Sequence, residues 1–522
     1  MTGGVLPNRA VPFTSEMAMK TVYKGNRHLA NASVVMWFSA LPLLFASGCL
    51  WMPPAPVTRA DLGTSLKRFE RRYAANPPAG ARVAELSRAF DQATTSFFFG
   101  NYAEVVKGIE GAAAMLSANG PSDAERVAAS LKFRLTPSAY VLGSGAAPGF
   151  RLTSMYEVTL ASESAIVLKL RVVNEAGEKI HEQPIEVQGA ASTRIDILGT
   201  LTIDLTKLKR GNHRVELVTA EGAAFAVLNW PAVERSPAQG REANAARLAP
   251  LSFDSPALQQ ALASARARNA LLLDPPGEDR VIEFVIDRSA LEASVADEVE
   301  RLAAGENPYF HRKGDYWRVF KREGDEIPLR VYCPAGLDVG KPVPVVVAWH
   351  GYGGDENLFP EGYGAGLVKR LADQHGFLLV CPLTYPFLNS PVVFDRLLEV
   401  IGHDYTIDAS RVYVMGHSLG AACAASIAPR RADRIAAACL FAGGSNLADA
   451  DRLPPTVVFL GGADLVSPPE RSRPGVQAAI GKGLPVELRE KPDLGHTILV
   501  SESLADGVTF LMQKVRSAPR RK

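Results

Sequence analysis

The sequence predicts an α/β fold for its C-terminal part, a doubly wound and mostly parallel sheet with helices on both faces. Short apolar runs, typical of strands buried on both faces, alternate with helical patterns after residue 307. One such run, 411–415, leads into Gly-His-Ser-Leu-Gly at 416–420, and small residues suited to a closely packed helix follow. Earlier in the chain, helical and period-two patterns predict a helical region and a β-sandwich.

Composition limits the classes of partner that we expect. The 522 residues are too many for one core and suggest about three domains. The net charge is +2 and the one basic run, 516–522, is a short tail, so we expect no nucleic-acid partner. Four cysteines lie in apolar runs and predict buried thiols, and no His/Cys cluster indicates a metal. We therefore expect neither a metal nor another cofactor.

The N-terminal segment has the layout of a secretory signal. An apolar, uncharged run at 33–45 follows the basic residues Lys20, Lys24 and Arg27. That run is too short to span a bilayer comfortably, and its length suits the apolar part of a signal peptide. We assign residues 1–48 to this signal peptide.

A small-residue segment ends the signal at Ala46-Ser47-Gly48-Cys49. It resembles the bacterial lipoprotein box, in which the cysteine is acylated and becomes the mature N-terminus. The resemblance implies an exported protein that is anchored to a membrane through Cys49. Ordinary cleavage nearby, which would remove Cys49 or leave it free, is the alternative. The proline-rich segment 49–58 predicts a stiff tether.

Three regions separate the tether from the sheet. The spacing of apolar residues over 59–140 predicts a helical domain, in which Val83, Leu86 and Phe90 share one face. We expect this domain to have a packing or spacer role. Residues 149–235 predict an immunoglobulin-like β-sandwich, with strands over 155–160, 166–173, 200–205 and 214–218. Residues 238–305 predict a helical connector, and 307–522 the catalytic domain.

The turn at 416–420 has the features of a nucleophile elbow. A strand, a G-x-S-x-G turn and a helix hold a serine hydroxyl above the end of a sheet, in strained backbone. Glycines on both sides let the strand and the helix approach each other. This pattern predicts that Ser418 is a catalytic nucleophile.

The chain from about residue 307 onward resembles the α/β-hydrolase superfamily. It is most similar to bacterial esterases of the feruloyl-esterase and polyhydroxybutyrate-depolymerase-like group. The matching segments are His350-Gly351-Tyr352-Gly353-Gly354, 411–420, Gly462-Ala463-Asp464 and Gly495-His496. The resemblance implies a serine esterase that cleaves carboxylic esters through an acyl-enzyme and needs no cofactor. Two alternatives stay open: a prolyl-peptidase-like serine peptidase, and a catalytically inactive surface-binding lipoprotein.

In this fold the nucleophile is followed along the chain by the acid and then by the histidine. His496 is the only histidine after Ser418, so it is the predicted base. Asp464 follows the predicted strand 456–460 and is the predicted acid. Other acidic residues nearby, Asp449, Asp451 and Asp493, are less well placed along the chain.

The glycine-rich segment after the strand 343–349 predicts the oxyanion hole. In hydrolases of this kind the N–H of Tyr352, after His-Gly, would act with the N–H of Leu419, after the nucleophile. His350 stands before this loop, and we expect it to have a structural hydrogen-bonding role.

Overall fold

The structure, a computed structural model, describes residues 56–516 apart from 118, 161–163, 189–193, 274–287 and 323. These residues belong to one compact unit, Pro54–Lys522. The predicted signal peptide, Cys49 and most of the tether lie outside the described residues. None of the helices within the described ranges is long and apolar enough to cross a bilayer.

Four helices open the described chain, with bounds α1 Arg59–Ala75, α2 Ala81–Phe97, α3 Tyr102–Ala114 and α4 Asp123–Ser130. Local capping sets their starts. Thr58 and Asp61 form a capping box before α1, and the side chain of Asn101 accepts a hydrogen bond from the Glu104 N–H at the start of α3. The Phe-Phe-Phe-Gly-Asn segment at 97–101 contains the break between α2 and α3.

A β region follows, and its eight strands are β1 Leu131–Thr136, β2 Tyr140–Val141, β3 Gly149–Ser154, β4 Ile166–Val173, β5 Lys179–Val187, β6 Asp196–Thr200, β7 Gly211–Thr219 and β8 Ala224–Val233. They form a three-stranded sheet, β1-β3-β6, and a five-stranded sheet, β2-β8-β7-β4-β5. Side chains from both sheets share one apolar core. Strand pairing begins at Leu131, inside the predicted helical region 59–140, because β1 pairs along its length with β3.

Three helices connect this region to the last one, with bounds α5 Pro237–Leu248, α6 Pro256–Asn269 and α7 Arg288–Ala303. They occupy the predicted connector. Residues of all three helices pack into the same core as one face of the sheet that follows.

The last region contains an eight-stranded sheet, whose strands are β9 Gly314–Arg322, β10 Asp325–Cys333, β11 Val343–Trp349, β12 Leu378–Pro382, β13 Ile407–His417, β14 Ala437–Phe441, β15 Thr456–Gly461 and β16 Val486–Lys491. Its helices are α8 Leu367–His375, α9 Pro391–Gly402, α10 Leu419–Arg430, α11 Pro469–Gly481 and α12 Ile498–Met512. The order is β16-β15-β14-β13-β11-β12-β10-β9. Strand β10 is antiparallel to both of its neighbours, β12 and β9, and the six strands from β16 to β12 are parallel to one another. The predicted doubly wound α/β fold is confirmed.

Successive residues of β11 enter two different cores, one on each face of the sheet. Val345 and Val347 pack with α5–α7, α9 and α10, whereas Val346 and Ala348 pack with α8 and α12. The second core also contains Phe69, from α1, with buried apolar residues of α2 and α3. The N-terminal helices are therefore packed directly against the α/β region.

Candidate active site

Ser418 occupies the tight turn between β13 and α10. Its backbone has φ 55° and ψ −114°, a left-handed conformation that is costly for a residue with a side chain. Two backbone hydrogen bonds hold the turn: the Ser418 N–H donates to the Phe441 carbonyl at 2.8 Å, and the Ala422 N–H donates to the Ser418 carbonyl at 3.0 Å. The strain is typical of a nucleophile elbow.

The two glycines of the turn are required by close backbone approach. A Cβ on Gly416 would lie 2.1 Å from the carbonyl oxygen of Gly420, and one on Gly420 would lie 1.9 Å from that of Trp349. Neither contact can form without displacing main chain, so the crossing of β13, β11 and α10 depends on both glycines.

Asp464 and His496, the predicted acid and base, are in hydrogen-bond contact. The His496 Nδ1 lies 2.8 Å from Asp464 Oδ2, and both side chains are buried. The other carboxylate oxygen of Asp464 accepts the N–H groups of Val466 at 2.9 Å and Ser467 at 2.7 Å. This carboxylate is fixed by three donors and orients the imidazole so that Nε2 is the free nitrogen.

The three other acidic candidates, Asp449, Asp451 and Asp493, are exposed. Ser418 and His496 line one cavity, although among the described residues no hydrogen bond joins the serine hydroxyl to the imidazole. Such a contact commonly tightens only when substrate binds. The structure therefore brings the predicted nucleophile, base and acid to one end of the sheet.

The two predicted oxyanion donors lie beside the nucleophile. The N–H of Leu419 is the first of α10, where no intrahelical acceptor exists. Gly351 precedes Tyr352, and a Cβ on it would lie 3.3 Å from the Ser418 Cβ, so this loop passes close to the nucleophile. Within the described chain, neither amide has a backbone or side-chain acceptor.

Two further histidines support the site without being available as bases. The Nδ1 of His350 donates to the Gly351 carbonyl at 2.7 Å, and its Nε2 accepts the Thr384 N–H at 3.0 Å. Burial lowers the pKa of His350 to about 4. Burial also holds the pKa of His417 well below its ordinary value. The structural role expected for His350 agrees with these contacts.

The N-terminal helices contribute to the site in a way that sequence reasoning missed. A cavity of about 200 Å³ above Ser418 is lined on one side by residues of α1, α2 and α3. Asp91, on α2, accepts the backbone N–H of His496 at 3.0 Å and that of Leu465 at 2.9 Å. No local motif links Asp91 to either loop, so the sequence offered no signal for it.

Across the described ranges, no cluster of three or more His, Cys, Asp and Glu side chains is arranged to hold a metal ion. The chemical groups that the site presents are one hydroxyl, one imidazole and two backbone N–H groups without acceptors.

The strand order, the strained serine turn and the acid–base pair are those of the α/β-hydrolase fold. No family model and no curated protein matches this chain. Solved structures that are similar include an S-formylglutathione hydrolase from Staphylococcus aureus, with 13% identity, a TM-score of 0.32 and coverage of 38% of this chain and 98% of that chain.

Two other similar structures have comparable values. An S-formylglutathione hydrolase from Agrobacterium tumefaciens has 20% identity, a TM-score of 0.34 and coverage of 39% of this chain and 97% of that chain. A feruloyl esterase module from Clostridium thermocellum, complexed with sinapinate, has 14% identity, a TM-score of 0.35 and coverage of 41% of this chain and 93% of that chain.

Proposed function

We propose that the protein is a serine hydrolase that cleaves carboxylic esters through an acyl-enzyme intermediate. The observation that carries this proposal is the 2.8 Å contact between His496 Nδ1 and the buried Asp464 Oδ2, next to a cavity that His496 and Ser418 both line. A structural histidine would have both ring nitrogens occupied, as His350 has, whereas His496 keeps Nε2 available. The strained backbone of Ser418 supports the same role.

In the acylation step, Ser418 Oγ attacks the ester carbonyl carbon while its proton passes to His496 Nε2. The carbonyl oxygen becomes an anion and accepts the N–H groups of Tyr352 and Leu419. Each such donor contributes about 3 kcal/mol in related chemistry. Collapse of this intermediate breaks the carbon–oxygen bond of the ester, and His496 returns the proton to the leaving alkoxide. Asp464 stabilises the transient imidazolium.

In the deacylation step, water attacks the acyl carbon and gives a proton to His496. The bond from the acyl carbon to Ser418 Oγ then breaks, the carboxylic acid leaves, and the proton returns to the serine oxygen. The same imidazole acts as base and then as acid in each half-reaction.

The test is turnover of short p-nitrophenyl esters by the full chain and by Ser418→Ala. We expect the variant to lose roughly a million-fold in kcat and to lose labelling by a fluorophosphonate probe. Equal turnover in both proteins would contradict the proposal, and an unlabelled wild-type chain would favour the inactive-scaffold alternative. Aminoacyl p-nitroanilides, assayed in parallel, separate esterase from peptidase activity.

We further propose that the protein is exported and is anchored to a membrane through acylated Cys49. The support is the order of basic residues, apolar run and small residues before that cysteine. Wild type is expected in the membrane fraction, with Cys49→Ala released. Equal distribution of both between membrane and soluble fractions would contradict the anchor.

A further inference from the structure

The cavity above Ser418 has a wall that belongs to no part of the α/β sheet. Six apolar residues of the three N-terminal helices line it: Leu62, Leu66, Phe90, Phe97, Val105 and Ile109. The opposite side carries Ser418, His496 and the loop of Tyr352. An ester held with its carbonyl at Ser418 would place a neighbouring group against these helices.

Specific contacts join this wall to the oxyanion loop. The Arg59 Nη2 donates to the Gly353 carbonyl at 2.6 Å, and a Cβ on Gly353 would lie only 2.0 Å from Phe97 Cε1. The rings of Phe98 and Tyr352 also meet, with centroids 5.7 Å apart. The helices are therefore docked on the same loop that offers the Tyr352 N–H.

The charged side chains that line the cavity balance in sign, with Arg59 and Lys67 against Asp355 and Glu361. Lys67 Nζ lies 2.6 Å from Glu361 Oε2. Burial would raise the pKa of Glu361, but three surrounding cationic side chains, Lys67 among them, lower it to about 2. Arg59 is engaged with the Gly353 carbonyl. The lining therefore has no net charge that would favour an ionic substrate group of either sign.

Resting on the proposed function, we propose that helices α1–α3 form the binding site for an uncharged, apolar acyl group of the ester. An engineered apolar cavity of about 150 Å³ holds a benzene ring, so about 200 Å³ suits one ring or a short alkyl chain. Each methylene that fits such a pocket changes kcat/KM by about tenfold or more. The acyl group of an acetate ester would leave the apolar residues of α1–α3 without a substrate contact.

The first experiment narrows the cavity with Leu62→Trp, since Leu62 is half-buried and lines the cavity, into which a larger side chain can extend. We expect the ratio of kcat/KM for p-nitrophenyl hexanoate to that for the acetate to fall at least tenfold. The matched control is Ala74→Trp, on the exposed side of α1, which should keep the wild-type ratio. An unchanged ratio in Leu62→Trp would overturn the proposal.

Binding without turnover separates this proposal from the proposed function. Ser418→Ala should bind ethyl hexanoate, and the double variant Leu62→Trp/Ser418→Ala should bind it at least tenfold more weakly by calorimetry. If Ser418→Ala binds ethyl hexanoate but the wild type hydrolyses no ester, the result would support the binding site on α1–α3 and contradict the proposed hydrolase function. Equal affinity in the single and double variants would contradict the wall alone.

A second, independent observation concerns Asp91, which bridges both catalytic loops. Its buried carboxylate accepts the His496 N–H with both oxygens at 3.0 Å, and the Leu465 N–H with Oδ2 at 2.9 Å. Leu465 directly follows Asp464 in the sequence. A Cβ on Gly495 would lie 2.9 Å from Asp91 Oδ2, so the histidine loop reaches the carboxylate only because that residue is glycine.

We infer that Asp91 is a positioning residue, which holds the acid loop and the base loop at the separation that the Asp464–His496 contact needs. The ionised form suits this role because both donors are N–H groups and a carboxylate is acceptor-only. Burial raises the pKa of Asp91 to about 6, and of its titratable neighbours Asp464 adds to the rise while His496 opposes it. Acid would therefore weaken the bridge.

The test compares Asp91→Asn with Ser87→Ala, a buried residue one turn earlier on α2 whose hydroxyl has no partner. For Asp91→Asn we expect kcat to fall at least tenfold with KM within about twofold of wild type. The acidic limb of log kcat against pH should have a slope above one in wild type and about one in Asp91→Asn. Ser87→Ala should match wild type in both. A loss confined to KM, or an unchanged slope, would overturn the inference.

Hydrogen exchange tests the bridge without reference to activity. Peptides that contain Leu465 and His496 should exchange faster in Asp91→Asn than in Ser87→Ala, because both amides lose their charged acceptor. If these peptides exchange faster in Asp91→Asn but the wild type hydrolyses no ester, the result would support the bridging role of Asp91 and contradict the proposed hydrolase function. Unchanged exchange at both peptides would contradict the bridge.

Discussion

The imidazole of His417 lies against that of His496, with ring centroids 4.5 Å apart, and its Nε2 is 3.1 Å from the His496 carbonyl oxygen. Because a carbonyl only accepts, Nε2 of His417 carries the hydrogen and Nδ1 is left as an acceptor. The Tyr363 hydroxyl donates to that Nδ1 at 2.6 Å. The residue before the nucleophile therefore supports the backbone of the predicted base.

The Tyr363 hydroxyl is expected to matter for stability. Tyr363→Phe leaves the buried Nδ1 of His417 without a donor, which costs about 1–3 kcal/mol. Tyr332→Phe is the control, since that hydroxyl meets the exposed Asp373 and should cost about 0.5 kcal/mol or less. Thermal unfolding of both variants measures the difference. Equal midpoints would contradict the support that we assign to Tyr363.

The Asp464 carboxylate is expected to act through the orientation of His496. Asp464→Asn should reduce kcat about 10⁴-fold, because an amide can present a donor to Nδ1 and favour the wrong tautomer. Asp493→Asn is the control: this aspartate lies near His496 in sequence but is exposed. Similar kcat values in the two variants, measured with a p-nitrophenyl ester, would exclude Asp464 as the acid.

The elbow glycines are expected to tolerate no side chain. Gly420→Ala would place Cβ 1.9 Å from the Trp349 carbonyl oxygen and should destabilise the fold by about 3 kcal/mol or more. Gly402→Ala, at the end of α9, meets nothing within 4 Å and should be neutral or slightly stabilising. Soluble yield and fluorophosphonate labelling measure both. A fully labelled, stable Gly420→Ala would contradict the geometry.

Glu70 is expected to make stability fall as the pH rises. Its carboxyl group, on α1, lies 2.9 Å from the Ser501 hydroxyl and accepts the Gly364 N–H at 3.0 Å. Burial raises its pKa from 4.5 to about 8. The folded form therefore keeps a proton that the unfolded chain releases, so this part of the stability is full below pH 4.5 and is lost as the pH rises toward 8.

The corresponding measurement is thermal unfolding between pH 5 and 8. Glu70 should contribute at most about 1.4 kcal/mol per pH unit to the slope of the free energy of unfolding against pH. Glu70→Gln should remove this contribution. The exposed Glu85→Gln serves as the control and should keep the wild-type dependence. An identical pH dependence in Glu70→Gln would contradict the raised pKa.

The α/β region could be predicted closely because its signals are local. The run 343–349 is apolar throughout, as strands buried on both faces are, and the structure has a strand with the same bounds. The elbow strand is longer than the predicted 411–415, since pairing with β11 already begins at Ile407. The candidate triad could be chosen by chain order, because His496 is the only histidine that follows Ser418 in the sequence.

The β region was predicted less well. No strand forms over 155–160, and β6 ends at Thr200, where the sequence predicted a strand to begin. Strand β5 was missed: it carries charged residues and Pro184, and its partner strand β4 supplies most of the apolar side chains of the pair. Pairing across strands, rather than local alternation, decides these elements.

Long-range contacts account for what the sequence could not show at the site. Asp91 and His496 are 405 residues apart. From the sequence alone, an aspartate beside the apolar face of a helix is expected to be solvated. The helices α1–α3 carry an ordinary amphipathic pattern, which predicts that one face is buried but not what covers it.

The core that α1–α3 share with the sheet has a practical consequence for anyone shortening this chain. A fragment starting near residue 307 would keep Ser418, Asp464 and His496 yet expose the apolar surface that Phe69 and its neighbours now cover. It would also lack Arg59 and Asp91. Such a truncation, although it retains every residue of the recognisable motif, would aggregate readily and would be a poor guide to the specificity of the intact protein.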